Sequence, residues 1–567
     1  MKGARWPWWV MAAWVGSLCI LLAGLLAAPA GIAGAPSTDY LAFPRLLRLS
    51  MNSLLTAAGA ALLALALTLL PALALARFLN RRWTRWLLPV AVAPLFVSPE
   101  VIAVAGVHLL GPQGWMTRLV AHGVFALTGL QMWDPREPQA LPSPIYTMTG
   151  VTLCLAWCFL PTAFLTSWAA LRSINRSLEE TALLESGPLQ VLRRITLPLA
   201  APAIMAGVVL VFLMSMLEFG VPESLRNQPV LVTEIYTQLG IHYDAQSAFV
   251  VAGLLAVIAL LVTRVALGFM RRAFFTDRLM DAPEAHDDER PLMRGTAVKL
   301  LAATGVVLLL IPSALLLITL MLRLNGPDGM WGTLVKTWGL TRDEFYFTLE
   351  IASQGALAAT AAGLFIGAAL AKLRNPFSMR ALVLVGFFIP GSVVAVALKM
   401  LLLWPPQQLP ALLDRAMVAL DASYVPLIFA YVIRFAPLVA LLAEFHLRQV
   451  PQDLIDATRL ESGGPIAALK GWAGQALLAA AAPGLLITLA LITGESGATV
   501  LLIPPGKTML SVRLLTLMHF APTAQVSALC LLMCIPSLVA LPVITLVWEK
   551  ISSRANLRLS RSAASRS

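Results

Sequence analysis

Few residues in this sequence have the type and spacing that chemistry requires. Gly506-Lys507-Thr508 matches the end of a phosphate-binding loop, in which backbone N–H groups cradle phosphates and the lysine reaches them. The glycine that such a loop needs five positions before Gly506 is Leu501, and Pro504-Pro505 opposes the turn into a helix. No nucleotide site is expected. Cys154/Cys158 and Cys530/Cys534 are each four apart and share a helical face. Such pairs can build a metal or redox site, but thiols packed as small hydrophobes are the expected role. His242 and His519 have no ligand cluster around them in the sequence. Neither a metal site, a cofactor nor a catalytic constellation is expected.

The other candidates are ionisable groups inside or at the ends of apolar runs. Glu100, His108, Lys399 and Arg434 lie within such runs, while Glu218 and Glu495 end two of them, 277 positions apart. A charge in apolar surroundings is costly, so these groups face a cavity or one another. Two pseudo-symmetric carboxylates at the mouth of a pathway could guide a cation; the alternative has them capping loops or paired with Arg226 and Arg513. For Arg434 an internal ion pair and a contact to a transported solute are both open. Lys399 and His108 can simply snorkel toward water.

The elements that must position these groups follow from composition. The chain has 567 residues, 59% hydrophobic and 12% charged, with mean hydropathy +0.81. A soluble domain carries about 25% charged residues, so a soluble enzyme, a disordered scaffold and a fibre are excluded. The sequence reads as an all-α integral membrane protein. Twelve apolar stretches approach the roughly 20 residues that cross a bilayer. They cover roughly 7–30, 52–76, 86–111, 147–170, 198–219, 246–270, 297–322, 348–371, 380–404, 424–445, 474–494 and 525–549. Lys2, Arg5 and the Ala-rich stretch near 28–35 also fit a cleaved signal peptide. Retention is expected, because removal would leave one half broken.

Basic residues set the orientation. With the N-terminus inside, 28 of the 41 Lys and Arg fall in inner segments and 11 in outer loops, the two others lying within spans. Both termini are therefore expected in the cytoplasm, and the net charge of +12 needs no nucleic-acid partner. The polar stretch 271–296 divides the chain into 1–270 and 297–567. The two parts look like parallel copies: Glu180 to Gly187 recurs as Asp456 to Gly463, and Pro161 as Pro437, both 276 positions later. In the third span of each half, Pro99 and His108 match Pro390 and Lys399.

The repeated segment is too polar to enter a membrane, yet it reads as a short helix that ends at Gly187 before Pro188. Leu178, Ala182, Leu183, Val191, Leu192 and Ile195 mark an apolar side, and charged Glu179, Arg193 and Arg194 decorate the rest. Such an elbow suits a partner's groove or lipid headgroups; its duplication favours a two-fold partner. Glu180-Thr181-Ala182, Gly187 and Ile195-Thr196-Leu197-Pro198 resemble the EAA loop of type I ABC importer permeases. The fused arrangement, Leu217-Glu218-Phe219-Gly220 and the stretch from Gly494 to Gly506 resemble the iron(III) permeases in particular.

The resemblance implies two six-helix repeats whose elbows, around Glu180, Ala182, Gly187, Asp456 and Gly463, seat in two cytoplasmic ATPase subunits. It implies an extracytoplasmic binding protein, alternating access and a small solute, with ferric iron first and thiamine, polyamine or organophosphonate as alternatives. ATP would be hydrolysed by the partners and not by this chain. An ion-coupled secondary transporter of the same 6+6 layout is the rival reading; it would need mid-membrane carboxylates and no docking loops.

Overall fold

The computed structural model describes residues 6–31, 43–79, 81–128, 143–276, 296–373, 377–402, 411–450 and 472–536. These residues form helices and no strand. Eight helices are long and apolar enough to cross a membrane, and two pairs bent at a short break raise the number to ten. The first and last expected spans correspond to the apolar helices Trp6–Leu21 and Thr523–Pro536, which fall below that length over their described side chains.

Two expected spans are not straight rods. Residues 86–111 fall on helices Trp86–Phe96 and Pro99–Leu127, which meet at 95°, and 380–404 on Phe377–Phe388 and Gly391–Leu402, which meet at 83°. Proline explains where the breaks fall. It has no N–H to donate and drives the residue before it out of the helical region. Ser98, before Pro99, accordingly has ψ 138°. A third departure is the helix Gly329–Lys372, which runs for 44 residues. At 1.5 Å per residue it is about 66 Å long, twice the roughly 30 Å of a hydrocarbon core. The expected span 348–371 is only its second half; the residues before it continue the helix where a loop was expected.

Small residues let the helices meet. In lipid, helix association depends on close packing and not on expelling water. A Cβ on Gly363 would sit 2.7 Å from the Ala436 carbonyl, and one on Gly367 2.4 Å from that of Ala440. The long helix and Val425–Arg448 therefore touch backbone to backbone.

The halves exchange helices. Met11, Trp14, Leu18 and Leu21 of the first helix pack in one core with Ile351, Val383, Leu398 and Ile433 of the second half. Conversely, Leu316 and Leu320 of Thr296–Arg323, and Val526, Leu529 and Met533 of the last helix, close the core around Val101 to Ala105. Trp157 donates across the same boundary to the Pro312 carbonyl, 3.2 Å away. The boundaries at 270 and 297 thus divide the sequence, while packing interlocks what they separate. Fragments 1–276 and 296–567, produced together with a tag on one only, are expected to co-purify in mild detergent. Recovery of the tagged fragment alone would contradict the exchange.

Candidate functional site

A cavity of about 110 Å³ lies between the halves where the two bent spans break. Ser98, Cys158 and Glu218 reach it from the first half, and Phe388, Arg434 and Glu495 from the second. Arg434 is nine residues into Val425–Arg448 and Cys158 ten into Met148–Arg172. At 1.5 Å per residue that is about 15 Å from the nearer helix end. Glu218 and Glu495 therefore end their helices well inside the protein and not at its mouth.

In the second half the Arg434 guanidinium donates to Glu495 Oε1 at 2.5 Å. Glu495 also accepts from the Ala498 N–H at 2.9 Å and from the Thr499 hydroxyl at 3.0 Å. The Thr499 hydroxyl is bonded in turn to the Tyr431 hydroxyl, 2.7 Å away. A Cβ on Gly391 would stand 2.5 Å from Glu495 Oε1 and 2.6 Å from Arg434 Nη1. Only glycine lets the second arm of that bent span start against the ion pair. In the first half Glu218 accepts from the Gly220 N–H at 2.9 Å. Glu100, in the first turn of Pro99–Leu110, is fully buried and takes a hydrogen bond from the Ser98 hydroxyl.

Of the alternatives for Arg434, the structure shows the ion pair. The partners considered for the carboxylates are engaged elsewhere: Arg226 stacks on Tyr146 at 4.1 Å and Arg513 lies 3.7 Å from Glu344. Lys399 pairs with Asp421 at 2.6 Å, and His108 Nδ1 lies 3.4 Å from the Ser527 hydroxyl. Neither lines the cavity. Cys154, Cys158, Cys530 and Cys534 are buried free thiols of one core. Among the described residues no three His, Cys, Asp or Glu are grouped to hold a metal ion.

At one end of the first half stands the elbow. Asn175 caps the helix Arg176–Glu185 by accepting from the Ser177 N–H. The helix ends at Glu185 and not at Gly187: Ser186 is extended, and Gly187, with φ −67°, opens the turn Pro188–Val191. Glu179 is not a surface charge. It is fully buried, 2.8 Å from Arg77 Nε, and accepts from the Thr196 hydroxyl at 2.6 Å. Arg77 donates further to the Leu171 carbonyl at 2.5 Å. Two helix ends thus meet on one carboxylate, and a third is joined to them through Arg77. Arg77 and Thr196 each sit in a single wide turn, Ala74–Phe78 and Leu192–Thr196, of the π type that recurs at functional sites.

The apolar face also differs from the expectation. Ala182, Leu183, Leu192 and Ile195 pack against the transmembrane core and Val191 is buried within it. The apolar groups left outward are Leu178, Leu184 and Leu189, exposed by 50, 87 and 74%. Glu180 is also on the surface, bonded to Arg176 at 2.8 Å. A Cβ on Gly187 would meet nothing within 4 Å. Asp456 and Gly463 lie outside the described residues. Leu184 and Leu189 flank the turn on the side away from Ala182 and Val191.

Buried charges thus meet where two bent pairs of apolar helices break, and the elbow is tied to the ends of the helices beside them. Residues 64–274, which include the elbow, Glu100 and Glu218, match the family of binding-protein-dependent transport system inner membrane components. Members of that family are transport subunits and not enzymes. A ferric transport system permease protein of Actinobacillus pleuropneumoniae is 26% identical over 175 residues, 30% of this chain and 24% of that one. A Salmonella typhimurium protein named for 2-aminoethylphosphonate transport is 40% identical over 78 residues, 14% of this chain and 27% of its own. A Helicosporidium protein named for sulfate transport is 32% identical over 120 residues, 20% of this chain and 44% of its own. The chain spans less than half the length of each of these relatives.

Proposed function

We propose that the chain is the membrane-spanning subunit of an ATP-driven importer in a bacterial inner membrane, with both termini in the cytoplasm. Two ATPase subunits dock on the elbow around Glu180, Ala182 and Gly187 and on its repeat around Asp456 and Gly463. An extracytoplasmic binding protein delivers a small solute, ferric iron being the first candidate, which crosses between the halves by alternating access. The observation that carries this reading is the elbow itself. Its outward leucines lack a core of their own, while its buried Glu179 fixes it to the spans that lead to the cavity. A motion imposed on the elbow is thereby delivered to Leu197–Leu217, the helix that ends at Glu218.

The carboxylates deep in the protein are also what an ion-coupled secondary transporter would need. The elbow is not, and it supports the importer. Gly187→Arg places a long cation in open space beside Arg193 and Arg194, so insertion and folding should match the wild type. ATP-driven uptake into vesicles carrying the ATPase should fall about tenfold or more, the equivalent of 1.4 kcal/mol of docking energy. Unchanged uptake would count against docking at this elbow, and uptake driven by an ion gradient without the ATPase would favour the rival.

A further inference from the structure

The cavity gathers more carboxyl groups than cationic side chains. Glu218 and Glu495 line it and Glu100 stands behind it, against the single guanidinium of Arg434, which is bonded to Glu495. Glu100 and Glu218 flank the same residue. Gly220 gives its N–H to Glu218, and a Cβ on Gly220 would fall 2.3 Å from Glu100 Oε1. That Glu100 oxygen is buried and has no hydrogen-bond partner. A buried carboxylate oxygen in this state needs either a proton or a positive ligand.

We propose that Glu100 and Glu218 form a binding site for a hard, oxygen-seeking cation at the break of the first bent span, so that the solute crossing here is positively charged. The chemistry of the donors selects the class. Carboxylates, with the hydroxyls of Ser98 and Ser496 beside them, suit hard cations and not soft ones. An oxyanion such as sulfate or a phosphonate would enter against an excess of carboxylate, with a guanidinium already taken. Two carboxyls suit a pathway, which must bind an ion well enough to admit it and weakly enough to release it. The proposal deepens the importer reading and borrows from it only the direction of travel.

The test uses the full chain in lipid nanodiscs without ATPase, so that failure here and failure of the importer reading stay distinguishable. Terbium(III), a hard trivalent probe, is titrated by luminescence against wild type, Glu100→Gln, Glu218→Gln and, as a surface control, Asp343→Asn, whose side chain is exposed. One tight equivalent per chain is expected in the wild type and in Asp343→Asn, weakened at least tenfold in Glu100→Gln and in Glu218→Gln. Because Glu100 is fully enclosed, its variant is first checked by gel filtration; Glu218→Gln, whose side chain borders open space, carries the test if the other fails to fold. Equal terbium affinity in wild type and Glu218→Gln would overturn the proposal. So would radiolabelled sulfate bound by the wild type and lost in Arg434→Gln.

Discussion

Glu179→Ala is expected to abolish ATP-driven transport and to destabilise the protein by about 3–5 kcal/mol, the usual cost of breaking a buried ion pair from one side. Arg77 would remain inside with only the Leu171 and Ala76 carbonyls for company, and the Thr196 hydroxyl would lose its acceptor. The elbow would then hang from its apolar contacts alone. The double change Arg77→Leu with Glu179→Leu separates the two effects. Apolar replacement of a whole buried pair is often neutral, so much of the stability should return, while the polar tie among the three helix ends stays lost. Thermal unfolding in nanodiscs, read beside uptake, measures both. A Glu179→Ala protein that melts with the wild type would show that the pair does not hold the elbow.

Arg434→Leu is the second large effect. It would leave Glu495, with 4% of its side chain exposed, dependent on backbone N–H groups and one hydroxyl. A loss of about 3–5 kcal/mol is again expected, with uptake below detection. Adding Glu495→Gln removes the orphaned charge and should restore most of the stability. Uptake should not follow, because the cavity has then lost both members of the pair. If uptake returned along with stability, the pair would be scaffolding and not part of the pathway.

These two pairs also mark where the sequence could and could not be read. Hydropathy is local, so the apolar stretches and a short helix at the elbow were legible, as was the place of Glu218 at the end of its helix. Partners are set by packing between distant segments, and these were not. Arg77 looked like one more basic residue of an inner loop, since topology counting ignores which side chains turn back into the protein. Glu179 was read as decoration because helical periodicity says which residues share a face, not which face is covered. The prolines at 99 and 390 were visible, but a right-angled bend needs the neighbouring helices to hold it. The exchange of first helices left no local trace, because Trp14 is equally apolar whichever half it packs against. The start of the Gly329–Lys372 helix was missed for the opposite reason: its polar first half carries no hydropathy signal.

That long helix is a lever. It is uninterrupted, contains no proline, and is clamped over its second half by backbone contact with Val425–Arg448, the helix that carries Arg434. A rigid rod of about 66 Å that tilts by about 5° about one end moves the other by about 6 Å. A displacement at the far end of the first half of this rod is thus geared down as it reaches the clamped part. There it becomes a small, forceful displacement beside the ion pair, and small motions at the pair are magnified in the other direction.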